Sequence, residues 1–334
     1  MHTIDLAKYS LRTDLIIENK EDKNIKTTTI SKDNIKIKTS ISSISSDKYT
    51  TVSINDISDK DTLKKAEAIL IEELKKYLEP LNLNYKDEVL IVGIGNSAST
   101  PDSLGPKTIK NILVTRHLFK LGDVEDGYQN TSAFTPEVTA STGFETSDLI
   151  KTLTKEINAK LLIVVDALAS SSIERLNKTV QITNTGIHPG SGIGNNRKEI
   201  SSKTLNIPVI AIGVPTVVDA ATIVTDTFKY LEKQFSYKLN ENSSKDKLIK
   251  EENINYLNHE TNLSEEETKE ILGEIGMLTE SNFKKLIFEV LSPINYNLMV
   301  TPTEIDFQIE RLALLLGNVI NKTLHKNYNS TYKN

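Results

Sequence analysis

Cysteine is absent from the 334-residue chain, which excludes disulfide bonds, thiolate metal sites and cysteine nucleophiles. Tryptophan is absent as well. Basic residues are not in excess: 40 Lys and Arg stand against 45 Asp and Glu, so charge gives no reason to expect direct binding to nucleic acid. No apolar run approaches the roughly 20 residues of a membrane span, and the first residues lack the features of a secretory signal. These absences predict a soluble cytoplasmic protein without a membrane partner.

Three short apolar runs occupy the middle third of the chain: VLIVGIG from Val89, LLIVVDA from Leu161 and IPVIAIGVP from Ile207. Continuous apolar runs bounded by Gly, Pro or Asp are typical of strands buried on both faces of a parallel sheet. Helical patterns such as TSDLIKTLTKEI lie between them. The alternation predicts an α/β fold with a mostly parallel sheet flanked by helices.

The two ends of the chain have other patterns. Near the start, NIKTTTI and NIKIKTSI alternate with period two, which predicts a small β-rich embellishment of half-solvated strands. A helix is predicted from Asp61, its N-cap, to Leu78. A last helix is predicted after Thr303, which would be its N-cap. Its apolar face would consist of Ile305, Ile309, Leu312 and Leu316.

Carboxylates follow two of the apolar runs, at the sheet edge where α/β proteins bind ligands. Asp166 is expected to end the apolar strand that begins at Leu161, and Asp102 lies in GIGNSASTPDSLGP after the first run. Each Asp also has a structural interpretation as the cap of a helix or turn. Together they would form a pair in which one carboxylate activates water while its protonated partner donates to a leaving amine. This is the chemistry of peptide hydrolysis without a nucleophilic side chain.

The first of these loops also contains Gly93, Gly95 and Ala98 in the G-x-G-x-x-A spacing of a dinucleotide site. In such a site the loop enters its helix directly, so that the helix N-terminus faces the pyrophosphate. Here Pro101 and Asp102 place a break and a negative charge at that point. The context therefore argues against a nucleotide site.

A third candidate is the Gly-rich stretch TNTGIHPGSGIGNNRKEI, which begins at Thr183. Its glycines permit a close backbone approach to an extended peptide. We expect four of its residues to border the substrate: His188, Gly190, Ser191 and Gly192. An alternative makes His188 a ligand, with Asp102 and Asp166, of an open divalent metal site. An ordinary surface loop is the remaining interpretation.

The chain resembles the germination protease (spore protease) family in five strings that occur in this order: GIGNSASTPDSLGP, STGFETSD, VVDALASSSIERLNKTVQITNTGIHPGSGIGNNR, GVPTVVDA and NLMVTPTEID. Members of that family degrade small acid-soluble spore proteins when spores germinate. The resemblance implies that the family's two essential Asp residues are Asp102 and Asp166. It also implies a homotetramer in the core of the developing spore, with these small proteins as substrates and no resident cofactor. The strand-ending Asp and the GxGN loop are similar to hydrogenase-maturation proteases too, which hold a metal, so a divalent metal remains an alternative.

The start of the chain, DLAKYSLRTDLIIE, resembles the family's prosegment, and this implies a zymogen that processes itself at Asp14 and Leu15. The expected organisation is then a prosegment over 1–14, a β-rich region with a helix over 15–85, and an α/β catalytic region over 86–334. Residues from about 237 to 280 form a surface excursion in this division. Three departures from the family pattern (Pro136–Ala140, Ser170–Ser172 and Asn184) keep a non-catalytic binding paralogue open.

Overall fold

The computed structural model describes residues 14–18, 25–122, 124–190, 197–243, 262–291 and 298–328. These residues are organised in two compact units. Those of the larger unit fall within Arg12–Ser170, Glu174–Val217 and Thr301–Asn334. Those of the smaller unit include Ser171–Ile173 and the described part of Val218–Val300. The division drawn from the sequence, with boundaries after residues 14 and 85, stays a prediction.

The strands among the described residues are β1 (Ile25–Lys32), β2 (Ile35–Ser42), β3 (Lys48–Ser53), β4 (Val89–Gly93), β5 (Thr131–Phe134), β6 (Leu161–Ser170), β7 (Thr179–Thr183), β8 (Val209–Asp219) and β9 (Met299–Val300). Their order in the sheet is β1-β2-β3-β7-β8-β6-β4-β5, and β9 pairs with the last two residues of β8. Strand β4 is parallel to β5 and to β6. The pairs β1–β2, β2–β3, β3–β7 and β7–β8 are antiparallel.

The α/β class is therefore confirmed, but the sheet is mixed rather than mostly parallel. The parallel part is the one that contains β4, β5 and β6. The predicted and observed sheets differ because of β7, a strand that sequence analysis missed. Strand β7 pairs antiparallel to β8. Because β3 pairs with β7, the N-terminal strands continue the main sheet instead of forming a separate embellishment.

The helices among the described residues are α1 (Lys60–Leu78), α2 (Leu104–Ile109), α3 (Arg116–Leu121), α4 (Thr139–Thr142), α5 (Thr146–Glu156), α6 (Ser202–Leu205), α7 (Ala220–Ser243), α8 (Glu265–Gly276), α9 (Glu280–Leu291) and α10 (Ile305–Leu324). The two predicted N-caps are wrong by one or two residues. Asp59, not Asp61, caps α1, because its carboxylate accepts the N–H of Thr62 at 2.7 Å. Glu304, not Thr303, precedes α10 and makes no side-chain cap.

Helices cover both faces of the sheet in the larger unit. Val89 and Ile91 pack in one apolar cluster with the inner faces of α1 and α10, and the predicted face of α10 is buried there. Leu90 and Val92 point the other way, into a second cluster with Ile150 of α5. Each fully buried aliphatic side chain contributes about 1.5–3 kcal/mol. This explains why β4 and β6 read as continuous apolar runs rather than as alternating ones.

The smaller unit contains α7, α8 and α9. Asp219 precedes α7 and accepts the N–H of Thr222 at 2.6 Å, which satisfies a free donor of the first helical turn. Phe228 of α7 meets Phe283 of α9 edge to face, with ring centroids 4.7 Å apart. Across the described residues, every helix is too short or too polar to cross a lipid bilayer.

Candidate active site

Asp102 lies in a short 3-10 turn, Thr100–Asp102, after the loop that leaves β4. Within that loop the N–H of Asn96 donates to Asp102 Oδ2 at 2.9 Å and also points at the Asp102 carbonyl oxygen at 3.1 Å. Gly95 has φ of +130°, and a Cβ there would lie 1.9 Å from the Asp102 carbonyl oxygen. Only glycine fits. Gly95, one of the glycines that imitate a dinucleotide loop, therefore lets the chain wrap around Asp102.

Asp166 lies on β6, the parallel neighbour of β4. Gly93 is in register with Val165, so Asp166 comes just beyond the last paired residue of β4. Its side chain is buried, and Oδ1 accepts the N–H of Ala167 at 2.9 Å. The strand runs on to Ser170, so the expectation that Asp166 ends its strand is wrong. Two of the extra residues, Ala169 and Ser170, are hydrogen-bonded to Asp14 and Glu18.

Helix α2 is pressed against the ends of both strands. A Cβ on Gly105 would lie 2.2 Å from the carbonyl oxygen of Ile94 and 2.7 Å from that of Val165. Side-chain Cβ atoms do not tolerate such distances, so this approach needs glycine. The packing places the turn that bears Asp102 beside the strand that bears Asp166.

The two carboxyls are electrostatically coupled. Burial raises the pKa of Asp102 to about 6, while the Asn96 N–H and the charge of Arg197 oppose that rise and Glu137 adds to it. Burial also raises the pKa of Asp166 well above the ordinary value, and the charges of Asp102 and Asp14 raise it further. Two carboxyls with pKa values raised unequally can divide acid and base roles between them.

Two charged residues act on Asp102, and sequence analysis assigned neither of them a role there. Glu137 has φ of +57°, a conformation that costs a residue with a side chain about 1 kcal/mol, and its Oε2 accepts the N–H of Ser97 at 3.1 Å. Arg197 donates to the hydroxyl of Thr139 at 2.6 Å. Glu137 and Thr139 belong to one of the departures from the family pattern, which was the available signal.

Asp14 and Leu15, the predicted processing site, lie along the end of β6. The N–H of Asp14 donates to the carbonyl of Ala169 at 3.1 Å, and Asp14 Oδ2 accepts the Ala169 N–H at 2.9 Å. Leu15 is fully buried. Farther on, Glu18 accepts the hydroxyl of Ser170 at 2.6 Å. The stretch from Asp14 to Glu18, here named the processing segment, is thus hydrogen-bonded to the end of β6, and its residues Ile16–Glu18 form a single 3-10 turn.

The loop predicted to border the substrate is only partly described. His188 lines a cavity of about 230 Å³ together with Asp14, which supports a place near the processing segment. Gly190 adopts φ of +74°. Ser191 and Gly192 lie outside the described residues.

A metal site formed by Asp102, Asp166 and His188 would need these side chains in one group. Within the described ranges, no three His, Asp or Glu side chains are arranged to hold a metal ion. The proposed three-ligand set is therefore not assembled in this structure.

Comparison with known proteins shows the family to which this chain belongs. The family model described as germination protease matches residues 5–334. The germination protease of Bacillus mycoides is 42% identical, with 96% of this chain and 95% of that protein covered. The germination protease of Bacillus subtilis is 41% identical, with 97% and 95% covered, and that of Bacillus licheniformis is 41% identical, with 99% and 97% covered. The family match includes Asp102, Asp166 and the processing segment, the identities extend over nearly the whole chain, and the chain belongs to the germination protease family.

Proposed function

We propose that this chain is an endopeptidase that starts the degradation of small acid-soluble spore proteins during spore germination. It is made as a zymogen and cuts itself between Asp14 and Leu15. Family membership supports the peptidase activity and its role in germination. The observation that carries the mechanism is the close packing of Gly105 against the ends of β4 and β6, which places the turn of Asp102 beside the buried Asp166.

The environments of the two carboxyls suggest their roles. Each carboxyl accepts one backbone N–H, and Asp102 also has a nearby guanidinium that favours its charged form, so it is the base. Asp166 is buried beside other carboxylates, which favours its protonated form, so it is the acid. Asp102 takes a proton from water as the water oxygen adds to the peptide carbonyl carbon. Asp166 gives its proton to the amide nitrogen as the C–N bond breaks, and the products are a carboxylic acid and an amine.

The remaining parts of the proposal follow from the family. The protein substrates are small acid-soluble spore proteins, the assembly is a homotetramer, and the location is the spore core. His188, Gly190, Ser191 and Gly192 border the substrate. No cofactor is required in this mechanism, and the likeness to hydrogenase-maturation proteases stays a prediction.

The departure at Asn184 has a structural explanation that leaves the site intact. Asn184 Oδ1 accepts the N–H of Lys48 at 2.8 Å, and its Nδ2 donates to the carbonyl of Ser46 at 2.9 Å. This side chain therefore holds the start of β3. The presence of Asn at position 184, instead of the residue in the family pattern, does not by itself argue for a non-catalytic paralogue.

The test follows the masses of the full-length chain and of a purified small acid-soluble spore protein during incubation, with and without chelator. Loss of the first 14 residues and discrete substrate fragments are expected. Asp102→Asn and Asp166→Asn each abolish both cleavages, because asparagine keeps the shape but exchanges no proton. Asp148→Asn, which changes an exposed carboxylate of α5, is the matched control. A complex without fragments would support a binding role instead, and loss of cleavage with chelator would support the metal-dependent alternative.

A further inference from the structure

The side-chain amide of Gln181 binds the processing segment on both sides of Leu15. Its Nε2 donates to the carbonyl oxygen of Asp14 at 3.0 Å, and its Oε1 accepts the N–H of Ile16 at 2.9 Å. The Asp14 carbonyl belongs to the peptide bond that joins Asp14 to Leu15. A single amide thus contacts the carbonyl of this bond and the next backbone N–H.

The surroundings of Gln181 fit this use. It lies on β7, is 5% exposed, and is in register with Gly213 of β8. A Cβ on Gly213 would lie 2.4 Å from Leu168 of β6. Because Gly213 has no side chain, there is room above β8 for a cavity. Gln181, Gly213 and Leu168 line this cavity together with Asp14. A buried polar side chain of this length costs free energy unless it is hydrogen-bonded, and both of its polar atoms are used on the segment.

We propose that Gln181 is a further catalytic residue of self-processing, the donor that binds the carbonyl oxygen of the Asp14–Leu15 bond. This inference rests on the proposed function, in which that bond is cut by water with Asp102 and Asp166. As the water oxygen adds to the carbonyl carbon of Asp14, the negative charge that develops on the carbonyl oxygen is stabilised by the Gln181 N–H. When the C–N bond breaks, the electron pair and a proton go to the nitrogen of Leu15, and Asp14 becomes a C-terminal carboxylic acid.

The proposal also explains why one bond is selected. Gln181 accepts from Ile16 while it donates to Asp14, so the segment cannot slide by one residue without losing both hydrogen bonds. Ala169 fixes the same register through its two hydrogen bonds to Asp14. Removal of one oxyanion donor slows other hydrolases by about 100- to 1000-fold.

The first experiment measures the rate at which the full-length chain loses residues 1–14, by intact mass, from about pH 5 to about pH 8. Gln181→Met keeps the length but makes neither hydrogen bond, and we expect it to be about 100-fold slower at every pH. Gln181→Glu can donate to Asp14 only when it is protonated. Its rate relative to the parent chain should therefore be near one at the acidic end and fall about 100-fold toward neutral pH. The titratable groups that line the cavity with Gln181 are Asp14, Tyr49 and His188, and the charge of Asp14 acts on Asp166. Taking the ratio to the parent chain at each pH removes their shared effect.

Gln308→Met is the matched control, because the amide of Gln308 also accepts a hydrogen bond, from Asn177, but far along the chain in α10. It should process at the parental rate. Parental processing by Gln181→Met, or a flat ratio for Gln181→Glu, would overturn the proposal. A role of Gln181 confined to packing, without the hydrogen bond to the Asp14 carbonyl, would lower the rate of the Glu variant without this dependence on pH.

A second measurement does not depend on cleavage. In the full-length Asp166→Asn chain, amide hydrogen exchange of Ile16 should be slow and should become at least about tenfold faster with Gln181→Met. Unchanged protection of Ile16 would contradict the proposed contact. If the parent chain leaves both the Asp14–Leu15 bond and the spore protein intact, the proposed function fails, while this measurement still decides whether Gln181 holds the segment.

Discussion

The charge of Asp102 raises the pKa of Asp166, although the two residues come from separate segments of the chain. Asp102 follows β4 in a 3-10 turn, whereas Asp166 is an interior residue of β6. Their proximity follows from the parallel pairing of β4 with β6 and from the fit of Gly105 against both strands. The tertiary fold therefore brings the two carboxyls together. Charged neighbours that do not touch a substrate can still change the pKa values of the pair.

Two charged neighbours should move the activity profile in opposite directions. Glu137 raises and Arg197 lowers the pKa of Asp102, which lies at about 6. If Asp102 is the base, activity rises as pH increases through that pKa. Glu137→Gln should therefore shift the acidic limb of kcat/KM to lower pH, and Arg197→Gln should shift it to higher pH, each by less than about one unit. Shifts in the same direction, measured with a spore-protein substrate, would contradict the assignment of Asp102 as base.

Asparagine at position 102 should stabilise the chain while it removes activity. The pKa of Asp102 is about 6 in the folded chain against 3.8 ordinarily. Its contribution to stability is therefore complete below the ordinary pKa and is lost as pH rises through about 6. Asn at position 102 does not ionise, so this loss of stability does not occur in Asp102→Asn. We expect its free energy of unfolding to be higher by at most about 3 kcal/mol at neutral pH and to change little near pH 4.

Urea unfolding at the two pH values measures this difference. Asp166→Asn should behave in the same direction, because its pKa is also raised. Asp148→Asn, at an exposed site, provides the baseline. A variant at position 102 that loses more stability at neutral than at acidic pH would contradict the electrostatic account.

Much of the fold was accessible to sequence analysis because burial on both faces leaves a strong pattern. The runs around Val89 and Leu161 correspond to β4 and β6, and the face of α10 was predicted residue by residue. Strand β7 was missed because it is short and its residues Thr179–Thr183 are half polar. The direction of its pairing depends on β3 and β8, and no local pattern encodes that.

The site was predictable only in part for a similar reason. Asp102 and Asp166 stand out because they follow apolar runs. Gln181 does not stand out, since a polar residue within a short strand is ordinarily solvent-exposed. Its partners, Asp14 and Ile16, lie 167 and 165 residues away in the chain. Only tertiary structure shows that contact.

Gly105 should be intolerant of even one added methyl group. A Cβ there would meet backbone atoms of Ile94 and Val165, which cannot move aside as a flexible side chain can. Gly105→Ala should therefore cost more than about 4 kcal/mol or prevent folding, and any folded fraction should process itself slowly. Gly122→Ala is the matched control, because Gly122 has φ of +77° but open space around it. That variant should lose only about 1 kcal/mol. Equal losses in thermal unfolding would show that the close packing at Gly105 is not the cause.

The last prediction concerns the ion pair between Glu18 of the processing segment and Arg175. The Glu18 side chain is 2% exposed, and Arg175 Nη1 lies 2.5 Å from its Oε1. Removing one member of a buried ion pair costs about 3–5 kcal/mol in proteins, and the 32% exposure of the Arg175 side chain places this pair at the lower end of that range. Arg175→Met should therefore lower the free energy of unfolding by about 3 kcal/mol and slow self-processing, because the segment is then held less firmly.

The double variant Glu18→Gln with Arg175→Met separates this effect from lost packing. In the double variant residue 18 has no charge, so removing the arginine no longer breaks an ion pair. The double variant should therefore recover more than half of the stability lost by Arg175→Met alone. The hydroxyl of Ser170 still has an amide oxygen to bind at residue 18 in that variant. The free energies of unfolding of the four chains in urea form a double-mutant cycle. If the two single losses simply add, the pair does not anchor the segment and its role in self-processing has to be assigned to the hydrogen bonds of Ala169 and Gln181.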